Sequence, residues 1–184
     1  LRAEDISNRI FLPRVSAMYK FTPSTRFRLG YAMGYRAPQV FNEDLHIELV
    51  NATRVTHFND ENLTQETSHA YTASLNTDFT TGEVVHNFLA EGFYTKLEKP
   101  FADEFYELND EGDFAYMRIN GEGAYVTGIN FELNSHFSKK LETQIGFTVQ
   151  KSEFETPIAW GEEAGNESVR FMRTPDTYGF ATTN

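Results

Sequence analysis

The sequence predicts an all-β chain built as an antiparallel up-and-down sheet, and three observations carry that expectation. Apolar and polar residues alternate with period two over most of the 184 residues, while helical periodicity is nearly absent. Short turns and long polar segments follow one another in strict alternation. Aromatic residues make up 15% of the chain, a content that suits strands far better than helices.

The first strand sets Val15, Ala17, Tyr19 and Phe21 against Arg14, Ser16, Met18 and Lys20. Thr22-Pro23-Ser24-Thr25 then turns the chain, because proline fixes φ and offers no N–H. A second strand sets Phe27, Leu29, Tyr31 and Met33 against Arg26, Arg28, Gly30 and Ala32. Ala37-Pro38 ends it, since proline cannot donate to a ladder and holds the residue before it extended. A long polar segment covers 35–65. Two weaker strands follow near 68–79 and 85–96, joined by Thr80-Thr81-Gly82-Glu83. Another polar segment occupies 100–115.

The clearest alternation runs from Met117 to Leu133. Ile119, Tyr125, Ile129 and Phe131 share one parity, and Arg118, Glu122, Asn130 and Glu132 share the other. Beyond a turn at Ser138-Lys139-Lys140-Leu141, Ile145, Phe147 and Val149 oppose Glu142, Gln144 and Gln150. A third polar segment spans 156–172, and a seventh strand begins near Arg173.

The three short turns are centred about 58 residues apart, with a long loop between each pair, although no residue-level repeat accompanies the spacing. In an up-and-down sheet this puts every short turn at one end and every long loop at the other. Outer-membrane barrels have that arrangement, with short periplasmic turns and long extracellular loops, and strands of about 9–11 residues suffice to cross a bilayer. Slipping the 117–133 strand by one residue would turn Arg118, Glu122 and Glu132 toward lipid. Basic residues at the midplane cost about 2–4 kcal/mol each and acids less. A soluble β-sandwich binding module gives the same alternation, with the apolar parity against a protein core. A small complete barrel with a structural or adhesive role is a further alternative. Three features favour a membrane barrel over the sandwich. Aromatics collect near strand ends (Tyr19, Phe21, Phe27, Tyr35, Phe137), the long loops fall on one side, and the 117–133 alternation outruns a typical sandwich strand.

The formal net charge of −11 argues against a nucleic-acid partner, which needs a basic face. The chain has no cysteine, so disulfides and thiolate metal sites are excluded. No run of eighteen apolar residues is present, so a transmembrane helix is excluded.

Several stretches taken in order resemble the barrel of TonB-dependent outer-membrane receptors. Pro13 to Leu45 resembles a segment of that family in which a Pro-Arg strand, a short turn and an Arg-rich strand lead into Tyr35-Arg36-Ala37-Pro38, then Glu43 and Leu45. Asn59 to Leu75 is similar to a family Asn-Pro-Asn-Leu-x-Pro-Glu-x-Ser pattern, with Asp60-Glu61 and Gln65 as departures. Phe93 to Phe101, Ile119 to Leu133 and Met172 to Pro175 match later strands. The resemblance implies a fragment, residues 1–184 being part of the barrel domain and about seven strands of the 22 in such transporters. It implies a plug domain of the same polypeptide, absent here together with the closing C-terminal strands. It also implies TonB-dependent uptake of a large scarce nutrient (ferric siderophore, haem, cobalamin or glycan) across a Gram-negative outer membrane. The expected partners are the plug, the TonB complex acting through it, the nutrient and outer-membrane lipid.

On this reading Tyr35 and Arg36 stand where a strand leaves the outer leaflet, and Asn42, Glu43, Asp44 and His46 open an extracellular loop that contacts ligand. Trp160, in another long loop, is a ligand-stacking candidate or simply packs among loops. Asn42, Glu43, Asp44, His46 and Glu48 read first as a solvated loop, because they lack defined metal-ligand spacing. The acidic run Asp103, Glu104, Glu107, Asp110, Glu111, Asp113 likewise lacks the spacing of a calcium loop. Arg14, Arg26, Arg28, Arg118, Glu122, Glu132 and Glu142 are expected to face the lumen, pairing with each other and with a plug. Neither cofactor nor resident metal is expected. Ser68-His69 and Ser135-His136 are adjacent pairs whose members point to opposite faces of a strand, so neither makes a nucleophile–base couple. The sequence gives no sign of an enzyme.

Overall fold

The computed structural model describes residues 10–38, 55–107, 114–138, 141–159, 167–171 and 174–184. Strands β1 (Arg14–Lys20) and β2 (Thr25–Arg36) form the first hairpin, β4 (Glu66–Thr81) and β5 (Val84–Glu98) the second, and β8 (Gly123–Ser138) and β9 (Leu141–Ala159) the third. All pair antiparallel in the order β1-β2-β4-β5-β8-β9. The seventh position is shared by β10 (Glu167–Arg170), opposite Ala159 to Glu153, and β11 (Thr177–Thr183), opposite Val149 to Thr143. Phe171 N–H donates to the Ser152 carbonyl, and Gln150 N–H to that of Asp176, so β10 and β11 succeed one another along the same edge of β9.

The turns explain why the hairpins form where they do. In the first, Thr22 Oγ1 accepts the N–H groups of Ser24 and Thr25 at 3.3 and 3.0 Å, replacing the ladder partners that proline interrupts. In the second, Gly82 takes φ 63°, a left-handed conformation natural to glycine, and the strands close at Thr81 opposite Val84.

A second, smaller sheet comprises β3 (Val55–Asn59), β6 (Phe101–Glu107) and β7 (Phe114–Asn120), in the order β3-β7-β6. The single strand expected over 117–133 is therefore two, β7 and β8, separated at Gly121-Glu122. The segments expected as loops at 35–65 and 100–115 contain β3, β6 and the start of β7. The break has a local cause on the opposite strand. Lys99 sits at φ 53° and Pro100 has no N–H, so the β5 ladder stops at Glu98 opposite Gly123. Pairing resumes at Phe101 opposite Asn120, with Gly121 N–H donating to the Pro100 carbonyl at 2.8 Å.

Register sorts the side chains of the main sheet into two faces, because directly opposed residues project to the same side. One face carries Tyr31, Tyr71, Tyr94 and Thr127 in one row. The next row holds Ala17, Leu29, Ala73, Gly92, Ile129 and Val149, and the next Tyr19, Phe27, Leu75, Ala90, Phe131 and Phe147. No charged residue appears on this face between the tyrosine row and the Phe79–His86 row. Tyr71 and Phe79 are eight positions apart, about 26 Å of strand at ~3.3 Å per residue. At the tilt usual in membrane barrels this is ~20 Å of height, close to the ~25 Å apolar band such barrels present.

Among the described residues nothing covers this face. Val15, Leu29, Ile129, Ile145, Phe147 and Val149 each expose 46–64% of their surface, and among the described residues Ala124 is the only buried hydrophobic one. A soluble sandwich would hold such residues against a second sheet. Left in water, an apolar patch this size is an interaction or membrane surface.

Candidate functional site

The other face of the main sheet is polar, and its side chains bond to one another across strands. Asp78 on β4 accepts from Arg26 on β2 at 2.8 Å and from Asn87 on β5 at 2.6 Å. Asn76 and Asn87 exchange amide hydrogen bonds at 3.1 and 3.3 Å. Asn130 on β8 donates to Glu91 on β5 and accepts from Thr148 on β9. Glu132 accepts from Asn134 and Gln144 at 2.8 and 2.9 Å. The chain of contacts crosses five strands. Each carboxylate here has at least one donor, which offsets the cost of taking it partly out of water.

Of the residues expected on a lumenal face, Arg14, Arg26, Arg28, Glu132 and Glu142 project from this side. Arg28 lies near the Met18 sulfur, and Glu142 lies 3.6 Å from His136. Arg118 and Glu122 are placed elsewhere. Arg118 belongs to β7 in the smaller sheet and forms an ion pair with Asp103 at 3.0 Å, while Glu122 occupies the break before β8. Tyr35 and Arg36 close β2, with Tyr35 on the apolar side and Arg36 on the polar side, its guanidinium 5.5 Å from the Phe101 ring centre. Asn42, Glu43, Asp44, His46 and Trp160 lie outside the described residues.

Two glycines on the polar face are required by close neighbours. A Cβ on Gly128 would lie 2.5 Å from the Val149 carbonyl oxygen and 2.7 Å from the Phe93 ring. One on Gly146 would lie 2.3 Å from the Phe180 ring. In both cases an aromatic ring from the neighbouring strand covers the bare backbone, an arrangement that supports register in sheets.

Where β5 and β8 run into the smaller sheet, one residue gathers several contacts that its parity alone does not reveal. Asn120 Oδ1 accepts from the N–H and hydroxyl of Thr64 at 2.7 and 3.1 Å. Its Nδ2 donates to the carbonyls of Thr64 and Lys99 at 3.0 and 2.8 Å. Asp60 N–H donates to the Arg118 carbonyl, and the Glu66 carboxylate accepts from Phe101 N–H. The Asn59-to-Leu75 stretch singled out in the sequence thus begins as a brace against β6 and β7.

Beyond the tyrosine row, the apolar side turns charged. Tyr125 donates to Glu153 at 2.6 Å, Lys151 pairs with Glu153 at 2.8 Å, and Tyr31 lies 2.9 Å from His69 Nδ1. Tyr31, Tyr71, Tyr94 and Tyr125 form a ladder over four strands, with ring centres 5.1, 6.4 and 6.3 Å apart. Amphipathic rings in such a row suit a boundary between hydrocarbon and polar headgroups.

A serine–histidine pair does occur, across strands and not along one. His86 Nδ1 lies 2.8 Å from Ser135 Oγ, on the apolar side, with the imidazole stacked on Phe79 at 4.8 Å. Ser135 is only 4% exposed, so its oxygen is closed to a substrate. Among the described residues no group of three or more His, Asp or Glu is arranged to hold a metal ion.

An antiparallel meander with an uncovered, charge-free apolar band on one face and a bonded polar network on the other is wall material for a transmembrane β-barrel. The family described as TonB dependent receptor-like, β-barrel, matches residues 2–184, and the chain belongs to that family. Among solved structures it is similar to the FrpB iron transporter of Neisseria meningitidis (F3-3 variant), at 13% identity and a TM-score of 0.47. The match covers 78% of this chain and 20% of that one, so the chain spans about a fifth of the transporter's length. No curated protein matches the chain.

Proposed function

We propose that this chain is a section of the wall of a Gram-negative outer-membrane receptor that takes up a large scarce nutrient with energy delivered through TonB. Ferric siderophores, haem, cobalamin and glycans are the candidate cargoes. The observation that carries the reading is the pairing of family membership with the two-faced sheet. The apolar band faces lipid, and Arg14, Arg26, Arg28, Glu132 and Glu142 face a lumen that a plug of the same polypeptide fills. Residues 1–184 are then one stretch of a barrel domain, with the plug and the closing strands encoded elsewhere. The mouth is built from the long loops. Tyr35 and Arg36 stand at its rim, and Asn42, Glu43, Asp44, His46 and Trp160 extend it toward ligand. Arg118 and Glu122 belong to the smaller sheet and the break below it, above the membrane band.

The test is fractionation of the source cells with an antibody to this segment. The expected result is an outer-membrane band several times larger than 21.1 kDa, accompanied by loss of nutrient uptake when the gene or the TonB protein is deleted. A 21.1 kDa band in the soluble fraction overturns the proposal.

A further inference from the structure

The loop that follows β2 and the loop that follows β5 are far apart in sequence, yet the smaller sheet takes strands from both. β3 belongs to the first loop and β7 to the second, and they pair in parallel over five residues, from Val55 opposite Phe114 to Asn59 opposite Arg118. The connection continues below the ladder through Asp60 N–H to the Arg118 carbonyl and through the four hydrogen bonds of Asn120. At the base, the ladder between main and smaller sheets is interrupted on both strands, at Lys99-Pro100 and at Gly121-Glu122. The smaller sheet is thus joined to the wall through three short irregular segments, 60–65, Lys99-Pro100 and Gly121-Glu122, the kind of element-terminal positions that take up bending.

From these contacts we infer that β3 and the β6–β7 hairpin move as one unit, with Asn120 as the positioning residue that pins them together. The inference rests on the uptake function proposed above. Its consequence is that β3 does not move independently of β7. Whatever displacement they make, they travel together, and bending is taken up at 60–65, Lys99-Pro100 and Gly121-Glu122.

Residues 1–184 contain no cysteine, and any cysteine elsewhere in the complete receptor is first replaced by serine, so that only the introduced pairs report. Phe58 and Met117 are direct register partners between β3 and β7, within the reach a disulfide requires. In the complete receptor, carried in cells whose wild-type uptake has first been demonstrated, F58C/M117C is expected to cross-link rapidly on mild oxidation and to retain at least half of wild-type uptake. Uptake that falls tenfold or more on oxidation and recovers on reduction means that the loops must separate, and overturns the inference.

Asn120→Ala is then added to the cysteine pair. Cross-linking is expected to slow at least tenfold, whereas a control pair inside the wall, Thr77→Cys with Phe88→Cys, cross-links at an unchanged rate. The control shows that the barrel has folded. An unchanged F58C/M117C rate in the Asn120→Ala background removes Asn120 from its assigned role. Absence of uptake in the wild-type receptor, by contrast, counts against the proposed function and not against the joined loops, which the cross-linking rates test by themselves.

Discussion

The two faces of the main sheet are made by the same strands in the same register, yet they are held by different physics. On the polar face several rows contain groups that find one another, such as Asp78 with Arg26 and Asn87, or Asn130 with Glu91 and Thr148. On the apolar face the rows between those of Tyr71 and Phe79 contain no charge, and no second layer covers them among the described residues. One face is specified by its internal bonds and the other by what surrounds it. On the proposed reading lipid takes the place of a core, so the chain needs its solvent as much as its contacts.

Four substitutions break or sharpen that contrast. The largest effect is expected at Leu75, halfway between Tyr71 and Phe79 on the apolar side. Leu75→Arg costs about 2–4 kcal/mol in a reversible unfolding titration in lipid vesicles, the price of a basic group at mid-bilayer. Ser74→Arg, one residue away on the other face, changes the midpoint little. Equal costs at the two positions would mean that the faces have been assigned wrongly.

Next comes Gly128→Val, which meets the Val149 carbonyl and cannot be relieved by rotating a side chain. It costs about 1–3 kcal/mol, the range for overpacking. The same titration reads it, and no change in midpoint would show that the strands can part there freely. Asp78→Ala removes the acceptor shared by Arg26 and Asn87. With Arg26 and Asp78 side chains 39% and 42% exposed, solvent screening holds the loss to ~1 kcal/mol. A double-mutant cycle with Arg26→Ala should return a coupling well below the single-mutant sum. The smallest effect is expected at Tyr71→Leu, about 0.5–1 kcal/mol for its lost ring contacts with Tyr31 and Tyr94. An unchanged midpoint there would make the tyrosine ladder ornamental to stability.

Much of this architecture was legible in the sequence, and the reason is periodicity. Tyr71, Ala73, Leu75, Thr77 and Phe79 alternate with Ser74, Asn76 and Asp78 because the two faces of the sheet meet different surroundings, and a pattern imposed at every second residue survives in the sequence. The turns were legible for the same local reason, since Pro23 and Gly82 mark them directly. What was hidden is whatever depends on the partner strand. Met117 to Leu133 keeps its parity straight through Gly121-Glu122, so the break shows only on the opposing strand, at Lys99-Pro100. β3 and β6 read as loop because their significance lies in pairing with β7.

The candidate site divides along similar lines. Arg14, Arg26, Arg28, Glu132 and Glu142 could be assigned to a common face by counting. Arg118 and Glu122 were counted on the same strand, whereas they lie in β7 and at the break before β8. Asn120 shares the polar parity of Arg118 and Glu122, and its four hydrogen bonds connect segments more than twenty residues apart. The closeness of His86 to Ser135 had no signal at all, as nothing in either neighbourhood points to the other.

The alternation of tight turns with long excursions has an evolutionary consequence. Each excursion leaves and returns on adjacent strands whose register is already set by the paired wall, from Thr25 opposite Thr77 to Arg36 opposite Glu66, for example. Doubling the length of a flexible loop between fixed ends costs only about 0.6 kcal/mol of closure entropy. The parts of the rim outside β3, β6 and β7 can therefore be lengthened or shortened while the wall folds as before. New recognition can be tried cheaply at one end of the molecule, and inherited unchanged at the other is the scaffold that makes the trial survivable.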